Sequence, residues 1–191
     1  MVWKNFEGER EMQKKLLEAM RNGKCVCMFF DESRNSSFIY GKIIGVDDTF
    51  LAMTMVTPAG TDDGILVKTA DSVIRFEISG QYERKMNALM QANLISMSND
   101  LLIPPDVDVL DWALSKIMNE KRVVSVELND SGTMDVTGRI LSIDEGVCEV
   151  ELFDEYGIND GISYFRKSDI TQISFDGERE KIIEILLNND M

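Results

Sequence analysis

The chain has 191 residues, 20 Lys+Arg against 34 Asp+Glu, no His and a formal net charge of −14. At roughly 100–150 residues per domain, that length makes one large domain or two small ones, and 44% hydrophobic residues is enough for a core, which sets the chain apart from disordered acidic tails. The missing His removes imidazole bases, imidazole-assisted nucleophiles and imidazole metal ligands, and the acidity disfavours polyanions, whose binding is driven by Lys and Arg.

The stretch from Met1 to Arg21 carries Glu7, Glu9, Arg10, Glu11, Lys14 and Lys15, so it does not read as a signal peptide. Within it Met12, Leu16, Ala19 and Met20 fall at i, i+4, i+7 and i+8, one face of an amphipathic helix. Val26, Met28 and Phe30 then alternate at period two and predict a strand. A second strand carries Ile39, Ile43 and Val46 and ends at the turn Asp47-Asp48. A third covers Phe50 to Val56, a Gly-containing turn follows, and two more strands are expected near Ile65–Lys68 and Val73–Ile78. Tyr82, Met86, Leu89, Met90 and Leu94 form a second helical stripe.

The series then starts again. Gly41-Lys-Ile-Ile-Gly-Val-Asp47 aligns with Gly138-Arg-Ile-Leu-Ser-Ile-Asp144, and Gly60-Thr-Asp-Asp-Gly-Ile65 with Gly157-Ile-Asn-Asp-Gly-Ile162, both at an offset of 97 (138 − 41 and 157 − 60). Upstream the offset becomes 98, with Val26, Met28 and Phe30 meeting Val124, Val126 and Leu128. Leu110, Ala113, Leu114 and Ile117 repeat the first helical stripe. The chain therefore divides into a helix-plus-strands repeat over 1–95, a linker over 96–106 containing Pro104-Pro105, and a second repeat over 107–191. Five short antiparallel strands per repeat would leave exposed edges, and curling into a small barrel is one way to manage them.

A helix followed by five short strands, with Gly-x-Ile-x-x-x-Asp in the second, resembles the Sm-like (LSm) family. Gly41, Ile43 and Asp47 carry the resemblance in the first repeat, and Gly138, Ile140 and Asp144 in the second. It implies a mainly β fold with flanking helices: two tandem small five-stranded antiparallel barrels of the Sm-like or SH3-like kind, each preceded and followed by a helix. In RNA-binding members the residue four past the Asp is commonly a base-contacting Asn. Here those positions are Leu51 and Cys148. At the second family motif, Arg166-Lys167 stands for Arg-Gly, and the first repeat has Thr69-Ala70. The resemblance therefore carries the fold further than the RNA site.

Other candidate chemistry is thin. Cys25-Val-Cys27 places two thiols on one strand face, but three Cys and no His fall short of a tetrahedral zinc set, and Cys also packs as a small hydrophobe. An odd cysteine count without framework spacing fits a reducing compartment, so a cytoplasmic location is expected. Asp62-Asp63-Gly64 and Asn159-Asp160-Gly161 offer too few oxygens for Ca²⁺ and read as turn chemistry. Asp47-Asp48 and Asp144-Glu145 are adjacent turn carboxylates that point different ways, unlike a hydrolase pair. No nucleophile elbow, phosphate loop or dinucleotide fingerprint is present. Most of the 12 Met, among them Met20, Met28, Met86, Met90 and Met118, sit at core-like positions. Trp3 and Trp112 have no counterpart in the other repeat.

The expectation is a non-enzymatic binding or assembly module without cofactor or metal. Its turn framework is Gly41, Asp47, Gly60, Asp63 and Gly64, mirrored by Gly138, Asp144, Gly157, Asp160 and Gly161. The expected partner is a second copy of the chain or another protein, with no membrane, since no apolar run approaches about 18–20 residues. The alternative is RNA binding through the first repeat, with Lys42, Lys68 and Arg166 as the contacts. The charge divides unevenly: residues 1–95 hold 12 Lys+Arg and 13 Asp+Glu, residues 96–191 hold 8 and 21. One repeat is nearly neutral and the other strongly acidic.

Overall fold

The computed structural model describes residues 6–30, 38–95 and 101–189. Trp3 and residues 96–100 of the expected linker lie outside them. The described chain is mainly β, an open and wholly antiparallel arrangement of ten strands with four α-helices, and it forms two compact units. The first comprises residues 1–62 and 69–109, the second residues 63–68 and 110–191. Among the described residues no closed five-stranded barrel is seen, and the strand order runs from β5 to β9 without closing.

In chain order the elements are α1 (Phe6–Arg21), β1 (Cys25–Phe29), β2 (Ile39–Val46), β3 (Phe50–Val56), β4 (Asp62–Thr69), β5 (Arg75–Glu77) and α2 (Gln81–Ala92). The series resumes with α3 (Val109–Glu120), β6 (Val123–Leu128), β7 (Val136–Asp144), β8 (Val147–Phe153), β9 (Asn159–Arg166), β10 (Ile170–Phe175) and α4 (Glu178–Asn189). The sequence offset of 97 reappears in these bounds: it carries β3 onto β8, β4 onto β9 and α2 onto α4 residue for residue. It also carries the 3-10 turn Ala70–Ser72 onto Lys167–Asp169. In the first unit β5 begins at Arg75 rather than Val73, whose N–H closes that turn on Ala70 O at 3.3 Å. Its counterpart Ile170 closes the equivalent turn on Lys167 O and opens β10 directly.

In the first unit the strands run β5-β1-β2-β3. Of these β1, β2 and β3 are buried on both faces, with α1 packed against β2 and α2 against β1, whereas Arg75 and Glu77 of β5 are exposed. Cys27, Phe29, Tyr40, Val56, Met86 and Met90 form one core layer, edged by Phe38 and Tyr82. Phe38 meets Tyr82 edge-on with ring centres 4.8 Å apart. Val26, Met28, Ile43 and Met53 are buried too, as continuous apolar strands covered on both faces should be. Residues 101–103 rejoin this unit. The Ile103 N–H donates to Ile44 O at 2.8 Å, and its side chain occupies the space where a Cβ on Gly45 would sit.

In the second unit the order is β4-β10-β6-β7-β8-β9. Here α4 packs against β6, with Ile183 and Leu187 on Val123 and Phe153. The offset places Val56, Met86 and Met90 of the first unit at Phe153, Ile183 and Leu187, so each closing helix seats on the same strand position. Glu180 is buried and satisfied: its Oε1 accepts Ser125 Oγ at 2.5 Å and Ser174 Oγ at 3.1 Å. Met28, Met86 and Met90 fill core as expected, while Met20, Met118 and Trp112 are half-buried.

Candidate functional site

The ten turn residues read from the sequence form five pairs related by the offset of 97. Gly41 and Gly138 sit where neighbouring strands approach too closely for a side chain. A Cβ would lie 1.7 Å from Thr54 O at the first and 2.0 Å from Glu151 O at the second. Just beyond, β2 and β7 both carry a register shift, between Ile43 and Gly45 and between Ile140 and Ser142, positions related by 97. Gly60 and Gly157 hold positive φ (81° and 77°) beneath Leu89 of α2 and Leu186 of α4.

Asp47 and Asp144 part company. Asp47 Oδ1 accepts the N–H groups of Thr49 and Phe50, each at 2.7 Å, and its Oδ2 accepts the Val109 N–H at the start of α3 at 2.7 Å. It is a fully used structural carboxylate, half-buried, rather than the solvated turn residue expected. Asp144 is exposed, and its turn is made instead by Glu145 and Gly146 at positive φ.

The three candidate cations also separate. Lys42 is 2% exposed within β2. Lys68 donates to Glu127 Oε2 at 3.1 Å and Gln172 Oε1 at 2.8 Å, with its side chain 13% exposed. Glu127 Oε1 in turn accepts the Gly132 N–H at 2.7 Å. Arg166 alone of the three reaches solvent, 73% exposed, with Nε on Asp169 Oδ2 at 2.8 Å. Strand periodicity does not reveal this burial, because a Lys on a strand reads as facing water unless both faces of the sheet are covered.

The cysteines are packing groups. Burial pushes the Cys27 thiol from its ordinary 9.0 up to about 11, with the carboxylates of Glu77 and Glu83 adding to it. Burial likewise raises Cys25 and Cys148. Among the described residues no group of three or more His, Cys, Asp or Glu side chains converges as a metal site.

A run of exposed apolar residues lies in and around β9. Ile158, Ile162 and Tyr164 are 58%, 52% and 64% exposed. Among the described residues β9 pairs only with β8, and β5 at the other end of the order pairs only with β1. Ile74 and Ile78, which flank β5, are also exposed. Between Asn159 and Phe165 the β9 edge carries no Lys and no Pro, the residues with which natural sheets keep edges from pairing. Sequence pattern missed this feature, since β4 and β9 share the same motif and only strand order tells them apart.

Comparison with protein-family models, with curated proteins and with solved structures returns no match. No described helix is long and apolar enough to cross a membrane.

Proposed function

We propose that the protein is a non-enzymatic binding and assembly module, two Sm-like repeats in tandem, acting in the cytoplasm through protein–protein contacts. The observation that carries the reading is the bare β9 edge, with Ile158, Ile162 and Tyr164 exposed beside unprotected strand backbone. Support for the Sm-like ancestry comes from the helix–strand order, from Gly41 and Gly138 at close strand approaches, and from the matching register shifts after them. The RNA-binding alternative stands behind it, because Lys42 is buried and Lys68 is held by Glu127.

Light scattering on purified protein at micromolar concentration tests the assembly reading. A mass that is a multiple of the 21.7 kDa chain is expected, and a strict monomer overturns it. An oligo-U or oligo-A shift at low salt that fades steeply with added salt would put RNA first.

A further inference from the structure

Resting on the assembly reading, we infer that the partner is a second copy of this chain, docked head to tail with β9 of one copy adding to β5 of the next in the register that β4 already uses against β10. The chain contains its own template for this joint. β4 lies antiparallel to β10, with Ile65 opposite Phe175, Leu66 opposite Ser174, Val67 opposite Ile173 and Lys68 opposite Gln172. The offset of 97 carries β4 onto β9 and the β10 residues onto β5 and its flank. The register then sets Ile162 against Ile78, Ser163 against Glu77, Tyr164 against Phe76 and Phe165 against Arg75.

What is covered at the template is bare at these counterparts. Ile65, Leu66 and Val67 are 4%, 1% and 0% exposed, whereas Ile162, Tyr164 and Ile78 are 52%, 64% and 45% exposed. A Cβ on Gly64 would strike Phe175 O at 2.3 Å and Gly177 N at 2.4 Å. Gly161 holds the same positive-φ shape (96° against 81°), and a Cβ there would meet nothing within 4 Å. On the receiving side, a Cβ on Gly177 would meet Glu180 Oε2 at 2.6 Å and Asp63 O at 3.1 Å, whereas one on its counterpart Gly80 would meet nothing within 4 Å. Even the cap is left open. Asp63 Oδ1 accepts the Glu178 N–H that begins α4, while α2, with Gly80 as its N-cap, has no side-chain cap. At the inferred joint Asp160 takes the place of Asp63 over the N–H of Gln81.

Charge favours this polarity. A joint of two β9 edges would bring together two strongly acidic repeats, whereas head-to-tail docking sets the acidic repeat against the nearly neutral one. Contacts of this heterologous type give rings where the rotation closes and filaments where it does not.

Two variants, each altered at exposed positions, test it: Ile162→Lys with Tyr164→Lys to block β9, and Ile78→Lys to block the β5 edge. Circular dichroism and the thermal midpoint verify that both stay folded. By light scattering each variant alone is expected to be monomeric, and their equimolar mixture to give a species of twice the chain mass that grows no further, because only one joint survives. Asp160→Ala in the wild-type background is expected to weaken assembly about 5-fold through the lost cap. If the β5-blocked variant still dimerises alone while the β9-blocked one does not, β9 pairs with itself; the head-to-tail joint is overturned and the assembly reading stands. If wild-type protein is monomeric, both fall together.

Discussion

β4 and β9 occupy the two ends of the second unit's strand order and descend from one motif, yet one is core and the other is surface. Their glycines share a backbone shape, their aspartates share a position, and Ile65 matches Ile162, while Leu66, Val67 and Lys68 align with Ser163, Tyr164 and Phe165. The difference is what lies beside them: β10 and the start of α4 for β4, and among the described residues only β8 for β9. Two copies of one motif thus lie in a buried joint and at an open edge, and their chemistry has diverged with them, Leu66 and Lys68 aligning with Ser163 and Phe165.

That comparison is most sharply broken at the paired glycines. Gly64→Val would force a branched Cβ into the backbone of Phe175, Asp176 and Gly177 at positive φ, and a loss of about 4 kcal/mol or failure to fold is expected. Gly161→Val carries the φ strain without the collision and should cost about 1–2 kcal/mol. Urea unfolding of the two variants decides it, and equal losses would mean that β4 is not the crowded copy.

The second test is the polar trio that β4 holds and β9 lacks. Glu127→Ala leaves Lys68 and the Gly132 N–H beside a vacated acceptor at a site 7% exposed, and should cost about 3 kcal/mol. Replacing both members, Lys68→Met with Glu127→Leu, should recover most of that loss, because an apolar pair needs no counter-charge. A double variant as unstable as Glu127→Ala would show that packing, not charge, holds the position. At the caps, Asp63→Ala should cost about 1 kcal/mol through the uncapped Glu178 N–H, and Asp160→Ala close to none in the isolated chain. Thermal unfolding at dilutions that suppress association separates the two.

Acidity of the thiols gives a pH test of the first unit. Because burial raises Cys27 from 9.0 to about 11, the folded chain keeps a proton there that the unfolded chain has released. Stability from this group is complete below about pH 9 and declines as the pH rises from about 9 to about 11. Chevron or urea titrations across that window should show the fall, and Cys27→Ala should flatten it. The smallest effect belongs to Arg166→Ala, an exposed pair with Asp169, at no more than about 0.5 kcal/mol by urea unfolding.

Much of the fold was legible because period and punctuation agreed. Met12 to Met20 and Tyr82 to Met90 marked helices, and the Gly60 and Gly157 turns fell where positive φ is now seen. Val73 misled, since apolar alternation continues through Val73 and Ile74 although β5 begins only at Arg75. Lys42 and Asp47 misled for a different reason. Their neighbours in space, the second face of the sheet and the start of α3, come from residues that periodicity does not link. The open edges were illegible in principle, because pairing partners across long sequence distances are not written in either strand.

The bare loop before α2 has one more consequence. Ser79 sits at φ 62°, as its covered counterpart Asp176 sits at 59°, so the receiving end already holds the shape the joint requires. Nothing need fold or isomerise for docking, and the ordering cost that slows flexible partners is absent. Association should therefore follow a single exponential at a rate set by encounter and orientation, about 10⁵–10⁷ M⁻¹s⁻¹.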